Sequence, residues 1–174
     1  MKGNSQRKAV QLWVNLPRAL KMSPPRYQTL LKEQIPVIDL PEKSGHVRVI
    51  AGEFRGIKGP ARTFTPIHLY ELRLKVGHRT ELTLPAGYNT GVFLLKGNVV
   101  LNGSHSVKGA ELALFATQGE RVSIEAKEDA TILVLNGEPV DEPVAREGPF
   151  VMNTQDELVQ AVSDYRAGKM GHLH

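Results

Sequence analysis

Cysteine is missing from all 174 residues. That excludes disulfides, a thiolate metal centre and a cysteine nucleophile, and nothing points to an oxidising compartment. No stretch reaches the ~20 consecutive apolar residues of a membrane span. The opening MKGNSQRKAVQLWVNLP lacks the unbroken apolar core and small-residue cleavage site of a secretory signal, so the expectation is a soluble, cytoplasmic chain with no membrane association. There is no G-x-S-x-G, no G-x-x-x-x-G-K, no H-E-x-x-H and no dinucleotide fingerprint between a strand and a helix, which removes the commonest hydrolase, phosphate-binding and zinc-protease chemistries. The net charge of +4 is spread along the chain, with Lys2, Arg7 and Lys8 its densest cluster. It reads as an ordinary solvated surface rather than a nucleic-acid face.

What is present is punctuation. Sixteen glycines and eleven prolines separate short runs of Val, Ile, Leu and Thr, the texture of an all-β sandwich or barrel, and a chain of this size buries about 70% of its unfolded surface without staples. The expected strands are Gln11–Leu16, His46–Ala51, Ile67–Lys75, Thr80–Leu84, Gly91–Leu95, Val99–Leu101, Glu111–Phe115, Arg121–Ala126 and Thr131–Leu135. Tyr70, Leu72, Leu74 and Val76 alternate with polar neighbours, as do Thr80, Leu82 and Leu84 and then Val122, Ile124 and Ala126, giving each strand one expected buried face. Asn102-Gly103 predicts a hairpin turn because both residues tolerate positive φ.

Two helices are expected. Ser23 can cap a short one over Pro24–Lys32, with Tyr27, Leu30 and Leu31 on one face. The second has a capping box in Thr154 and Glu157, an apolar stripe of Leu158, Ala161, Val162 and Tyr165, and Gly168 placed to end it. Three zones follow: a leading segment 1–40, a compact β-domain 41–150, and a C-terminal helix with a tail, 151–174. Leu12, Trp13, Val14 and Leu16 make the leading segment unusually apolar, and a strand of that kind wants a partner sheet.

QLWVNLP, KMSPPRYQ, IPV, VRVIAGE, TPI, GEPVDEPV and GPFVMNT with the closing DYRAGKMG occur in an order that resembles the pirin family, over about Gln11 to Gly171. The resemblance implies a cupin-type double-stranded β-helix, a jelly-roll barrel, with a short linker helix and a C-terminal α-helix. Pirins pair two such barrels face to face, and their iron-like divalent metal sits in the first, held by three histidines and a glutamate. On this reading QLWVNLP is the remaining last strand of that first barrel, and the chain is the C-terminal half. The family's quercetin 2,3-dioxygenase activity, and the nuclear transcription-cofactor role of one member, would rest on the other half.

Aligning GNVVLNG with the glycine that closes the usual cupin motif puts Leu84, Ala86 and Thr90 where His, His and Glu would stand, and Arg121–Ile124 supplies no histidine. The resemblance therefore implies no metal, cofactor or catalytic residue in this barrel. His46, His68 and His78 lack the i+2 or i+4 pairing of ligands, His105 flanks the hairpin, and His172 and His174 end the chain; each reads as a surface or satisfied-core histidine. Asp141 and Glu142 are adjacent on an extended segment and point opposite ways, which suits a solvated loop. Arg48 and Glu53 read as structural.

The favoured expectation is a non-catalytic, metal-free docking half whose partner is a separately encoded N-terminal half or a second copy of itself. A transcription-factor partner enters by family analogy alone. Trp13, Phe150, Met152 and Tyr165 are the candidate interface residues, because large apolar groups at the edge of a core must be covered by something. The alternative is a piece of a full metal-dependent quercetin 2,3-dioxygenase. A metal-free small-molecule site in the barrel would require a polar pocket with a titratable group inside it.

Overall fold

The computed structural model describes residues 9–170, which cluster into two compact units: Pro24–Pro139, and the two chain ends 9–23 and 140–170.

The first unit holds strands β1 (Val37–Asp39), β2 (Gly45–Ala51), β3 (Glu53–Phe54), β4 (Ile57–Lys58), β5 (Ile67–Leu74), β6 (Arg79–Thr83), β7 (Asn89–Lys96), β8 (Asn98–Leu101), β9 (His105–Lys108), β10 (Leu112–Phe115), β11 (Arg121–Ala126) and β12 (Ala130–Gly137). They form a six-stranded sheet in the order β1-β2-β5-β12-β7-β10 and a four-stranded sheet β6-β11-β8-β9. The pairings within both sheets are antiparallel. One apolar cluster draws on both sheets: Val47, Val49, Tyr70, Leu72, Val92, Leu94, Ile132 and Val134 from the larger, Leu82, Val99, Leu101 and Ile124 from the smaller. The period-two alternation read from the sequence produces this, since each strand offers every second residue to a shared interior.

The Asn102-Gly103 turn forms as expected. Both residues have positive φ, 47° and 74°, and Ser104 N donates to Leu101 O at 3.1 Å. Asn102 also ties the turn to β11, its Oδ1 accepting from Ser123 N at 2.9 Å. A second tight hairpin joins β3 to β4 through Arg55 and Gly56, φ 49° and 80°, and forms a small flap.

The expected helix over Pro24–Lys32 does not form, and the segment is irregular apart from a 3-10 turn over Lys32–Gln34. Pro25 steers the residue before it away from the α region. The would-be apolar face also has nothing to pack on, Tyr27 being 94% exposed, and so short a helix is not stable alone. Gln28 instead clips the segment to a loop, donating to Pro60 O at 2.9 Å and accepting from Arg62 N at 3.0 Å.

The second unit contains a hairpin, β13 (Ala145–Glu147) with β14 (Phe150–Met152), and the helix α1 (Gln155–Arg166). The capping box is present: Glu157 N donates to Thr154 Oγ1 at 3.3 Å, and Thr154 N donates to Glu157 Oε2 at 3.0 Å. Leu158 and Ala161 are buried, and Gly168, at φ 72°, follows the helix end. The expected strand over Gln11–Leu16 is not one here, because no sheet edge among the described residues pairs with it.

Candidate functional site

The inner face of the six-stranded sheet is aliphatic apart from Tyr70 until its last row. Register places Leu72, Ile132 and Leu94 side by side, then Tyr70, Val134 and Val92, and then His68, Asn136 and Thr90. That final row is hydrogen-bonded in sequence. His68 Nδ1 lies 2.9 Å from Asn136 Oδ1, Asn136 Nδ2 donates to Thr90 Oγ1 at 2.9 Å, and Thr90 Oγ1 donates to the Tyr88 carbonyl at 3.4 Å. Asn136 is 3% exposed, so its amide needs both partners, and the chain supplies them. Asn136 donates one amide hydrogen to Thr90 and turns its oxygen to the imidazole, an arrangement that calls for the tautomer with its hydrogen on Nδ1.

Beside this row the flap is pinned to the core. Phe54 meets Tyr70 edge to face, 5.5 Å between centroids, and the Tyr70 hydroxyl donates to Glu53 O at 2.5 Å. Burial, with the Glu53 carboxylate adding to it, pushes the Tyr70 phenol well above the ordinary tyrosine range. The flap base needs Gly52: a Cβ there would meet His68 Cδ2 and Ile67 O, each at 2.6 Å, with φ at +75°. A cavity of about 330 Å³ opens here, with Gly52, Glu53, Lys58, Thr63, Ile67 and His68 among its walls.

The positions the alignment assigned to ligands do not suit a cation. Leu84 is buried hydrocarbon, Ala86 has no donor and Thr90 is engaged by Asn136. Among the described residues no group of three or more His, Asp or Glu side chains could hold a metal ion. The donor set in this barrel therefore does not fit the iron-like centre that the resemblance places in the first barrel. His46 is half-buried at the edge of β2, His78 lies in a turn before β6, and His105 is exposed beside the Asn102 turn with Ser104 Oγ at 2.9 Å; His172 and His174 lie outside the described residues. Arg48 pairs with Glu71 at 2.8 Å, and Arg73 joins the same carboxylate at 2.7 Å.

In the second unit the quoted motifs meet. Arg18 N donates to Glu142 Oε2 at 2.7 Å, Asn153 Nδ2 donates to the same oxygen at 2.9 Å, Asn153 N donates to Glu157 Oε2 at 2.9 Å, and Glu157 Oε1 takes Arg18 Nε at 2.7 Å. This closed cycle joins the segment after QLWVNLP, the DEP of GEPVDEPV, the Asn of GPFVMNT and the first turn of α1. Glu142, read from sequence as a solvated loop residue, is half-buried and structural here. Glu157 is held below the usual carboxylate range, first by the Asn153 amide and further by the Thr154 amide and Arg18.

Of the four candidate interface residues, Phe150 and Tyr165 stack edge to face at 5.9 Å, Met152 pairs across the hairpin with Ala145 and is half-buried, and Trp13 stands alone, 69% exposed. Asn136 and the row it organises were missed from the sequence. Extending the Ala130, Ile132, Val134 alternation by one step would have placed Asn136 on the inner face.

Comparison with known proteins fits this architecture. The profile of the pirin C-terminal cupin domain matches residues 69–171, and the chain belongs to that family. In particular, the quercetin 2,3-dioxygenase of Acinetobacter baumannii superposes with a TM-score of 0.89 at 41% identity, over 93% of this chain and 56% of that one. A Pseudomonas aeruginosa protein that carries a provisional quercetin 2,3-dioxygenase name is 44% identical over 165 residues, 95% of this chain and 57% of its own length. Mouse pirin is 37% identical over 167 residues, 93% of this chain and 57% of its own. The chain thus spans somewhat more than half the length of these relatives. The jelly-roll with a C-terminal helix is as expected, without the linker helix. No helix among the described residues is long and apolar enough to cross a membrane.

Proposed function

We propose that this chain is a non-catalytic docking half of a pirin, metal-free in its own barrel, which acts by completing a partner barrel. One observation carries the reading. Residues 9–16 form neither helix nor strand, and no backbone hydrogen bond reaches them among the described residues. Val10, Leu12, Trp13 and Val14 are 50%, 47%, 69% and 50% exposed. Just beyond, Arg18 is fixed by Glu142 and Glu157, and Lys21 Nζ donates to Asn15 Oδ1 at 2.6 Å. An apolar segment outside any sheet, with unpaired amides and carbonyls and anchored at one end, suits addition to the open edge of another sheet. The partner is a separately encoded N-terminal barrel, with a second copy about a two-fold axis as the other arrangement; iron or another divalent metal would be held by that N-terminal barrel. Light scattering on the chain alone, and after mixing with the N-terminal half of the Pseudomonas aeruginosa relative, tests this. A one-to-one complex is expected, and a monomer indifferent to the added half would defeat it.

The similarity to the Acinetobacter baumannii enzyme favours a second reading, in which the sequence is part of a full quercetin 2,3-dioxygenase. Quercetin consumption by the assembled two-barrel complex with ferrous ion, but not by this chain alone, would be its signature.

A further inference from the structure

We infer that the cavity beside His68 is a binding site for a small monocarboxylate carrying an adjacent hydroxyl group.

Three features converge on that chemistry. His68 is aimed by a buried relay, since Asn136 holds Nδ1 and is itself held by Thr90. An imidazole with its hydrogen on Nδ1 presents its lone pair at Nε2. Nε2 is bonded to Cδ2, and Cδ2 faces Gly52, itself a wall of the cavity. No hydrogen bond to Nε2 is made among the described residues. His68 is itself a wall of the cavity, so its unengaged Nε2 is the acceptor we assign to a ligand hydroxyl.

The second feature is charge. Lys58 lines the same cavity, and the 53–64 stretch carries Arg55, Lys58 and Arg62 against the single acid Glu53. Of these only Lys58 and Glu53 are in the cavity wall, so the wall carries one fixed charge of each sign and the surplus positive charge lies around it, which favours a singly charged anion held by the Lys58 ammonium. The third feature is Glu53, which stands directly across the flap from Lys58, side chains about 5 Å apart by strand geometry. It penalises a second negative charge, which separates monocarboxylates from dicarboxylates and phosphate. The relay occupies the end of a face that is otherwise apolar side chains and Tyr70, where Val or Leu would have packed without needing partners.

Histidine labelled with 15N in the full chain reports Nδ1 and Nε2 of His68 separately. Glycolate carries both groups, acetate only the carboxylate and ethylene glycol only hydroxyls. Glycolate is expected to shift His68 Nε2 saturably, at least about tenfold tighter than either comparison probe, with His46 and His78 unmoved, and malonate is expected to bind more weakly than glycolate. Lys58→Met, at an exposed position, reduces glycolate to the level of ethylene glycol. The proposal is overturned if the free protein carries its proton on Nε2, if glycolate binds no better than acetate, if all histidines shift together, or if Lys58→Met leaves glycolate affinity unchanged.

Discussion

Arg18 and Glu157 stand 139 positions apart in sequence and touch in space, the guanidinium Nε donating to the carboxylate Oε1 at 2.7 Å. The same carboxylate caps α1 and takes the Asn153 amide, so one side chain joins the leading segment, the GPFVMNT motif and the helix start.

The depressed Glu157 titration fixes the sign of a pH effect. Its folded value lies below the ordinary glutamate value of 4.5, so its contribution is complete above that value and is lost as pH falls through the lowered one. Amide exchange of 155–166 should accelerate across that acid window in the native chain. Glu157→Gln should show faster exchange already at neutral pH and a flatter response to acid.

Gly52 and Gly56 provide a matched pair. Both have positive φ, but a Cβ at Gly56 meets nothing within 4 Å, while at Gly52 it meets the His68 ring and the Ile67 carbonyl. Gly56→Ala should cost only the left-handed backbone penalty of about 1–2 kcal/mol. Gly52→Ala should cost about 1–3 kcal/mol more, read by urea denaturation, and should displace the His68 ring signals. Equal costs would mean that the ring does not rest on Gly52.

How much of this was legible before folding divides by range of interaction. The strands of the first unit were readable because alternation is local, from Tyr70-Leu72-Leu74 to Val122-Ile124, and α1 because Thr154 and Glu157 announce their own cap. The helix over Pro24–Lys32 was misread because Gln28 bonds to Pro60 and Arg62, partners more than thirty positions away. Trp13 and its neighbours carry a strand pattern without an edge to pair with. The His68, Asn136 and Thr90 row joins three strands whose adjacency, β5-β12-β7, no local pattern encodes.

Tyr70→Phe should keep the edge-to-face contact with Phe54 and lose the hydrogen bond to Glu53 O. The expected cost is about 1 kcal/mol, with faster exchange at Gly59, whose amide closes the flap base on Gly52 O at 2.8 Å. Because the folded fold favours the neutral phenol, Tyr70 contributes stability below the ordinary tyrosine value of 10.0 that is lost as pH climbs toward its raised one. Alkaline denaturation of Tyr70→Phe should be less steep than that of the native chain.

Trp13 is the single tryptophan of the chain, so its fluorescence reports one position. At 69% exposure it should emit at the long wavelength of a hydrated indole and be quenched readily by iodide. Strand addition predicts that mixing with an N-terminal pirin barrel shifts the emission to shorter wavelength and protects the indole from quenching. Trp13→Ala should leave the urea midpoint of the β-domain unchanged, since the side chain is largely solvated, yet weaken the complex by about 2 kcal/mol or more if the indole is an anchor. A variant that binds as tightly as the native chain would remove Trp13 from the interface and leave the backbone of 9–16 as the donated element.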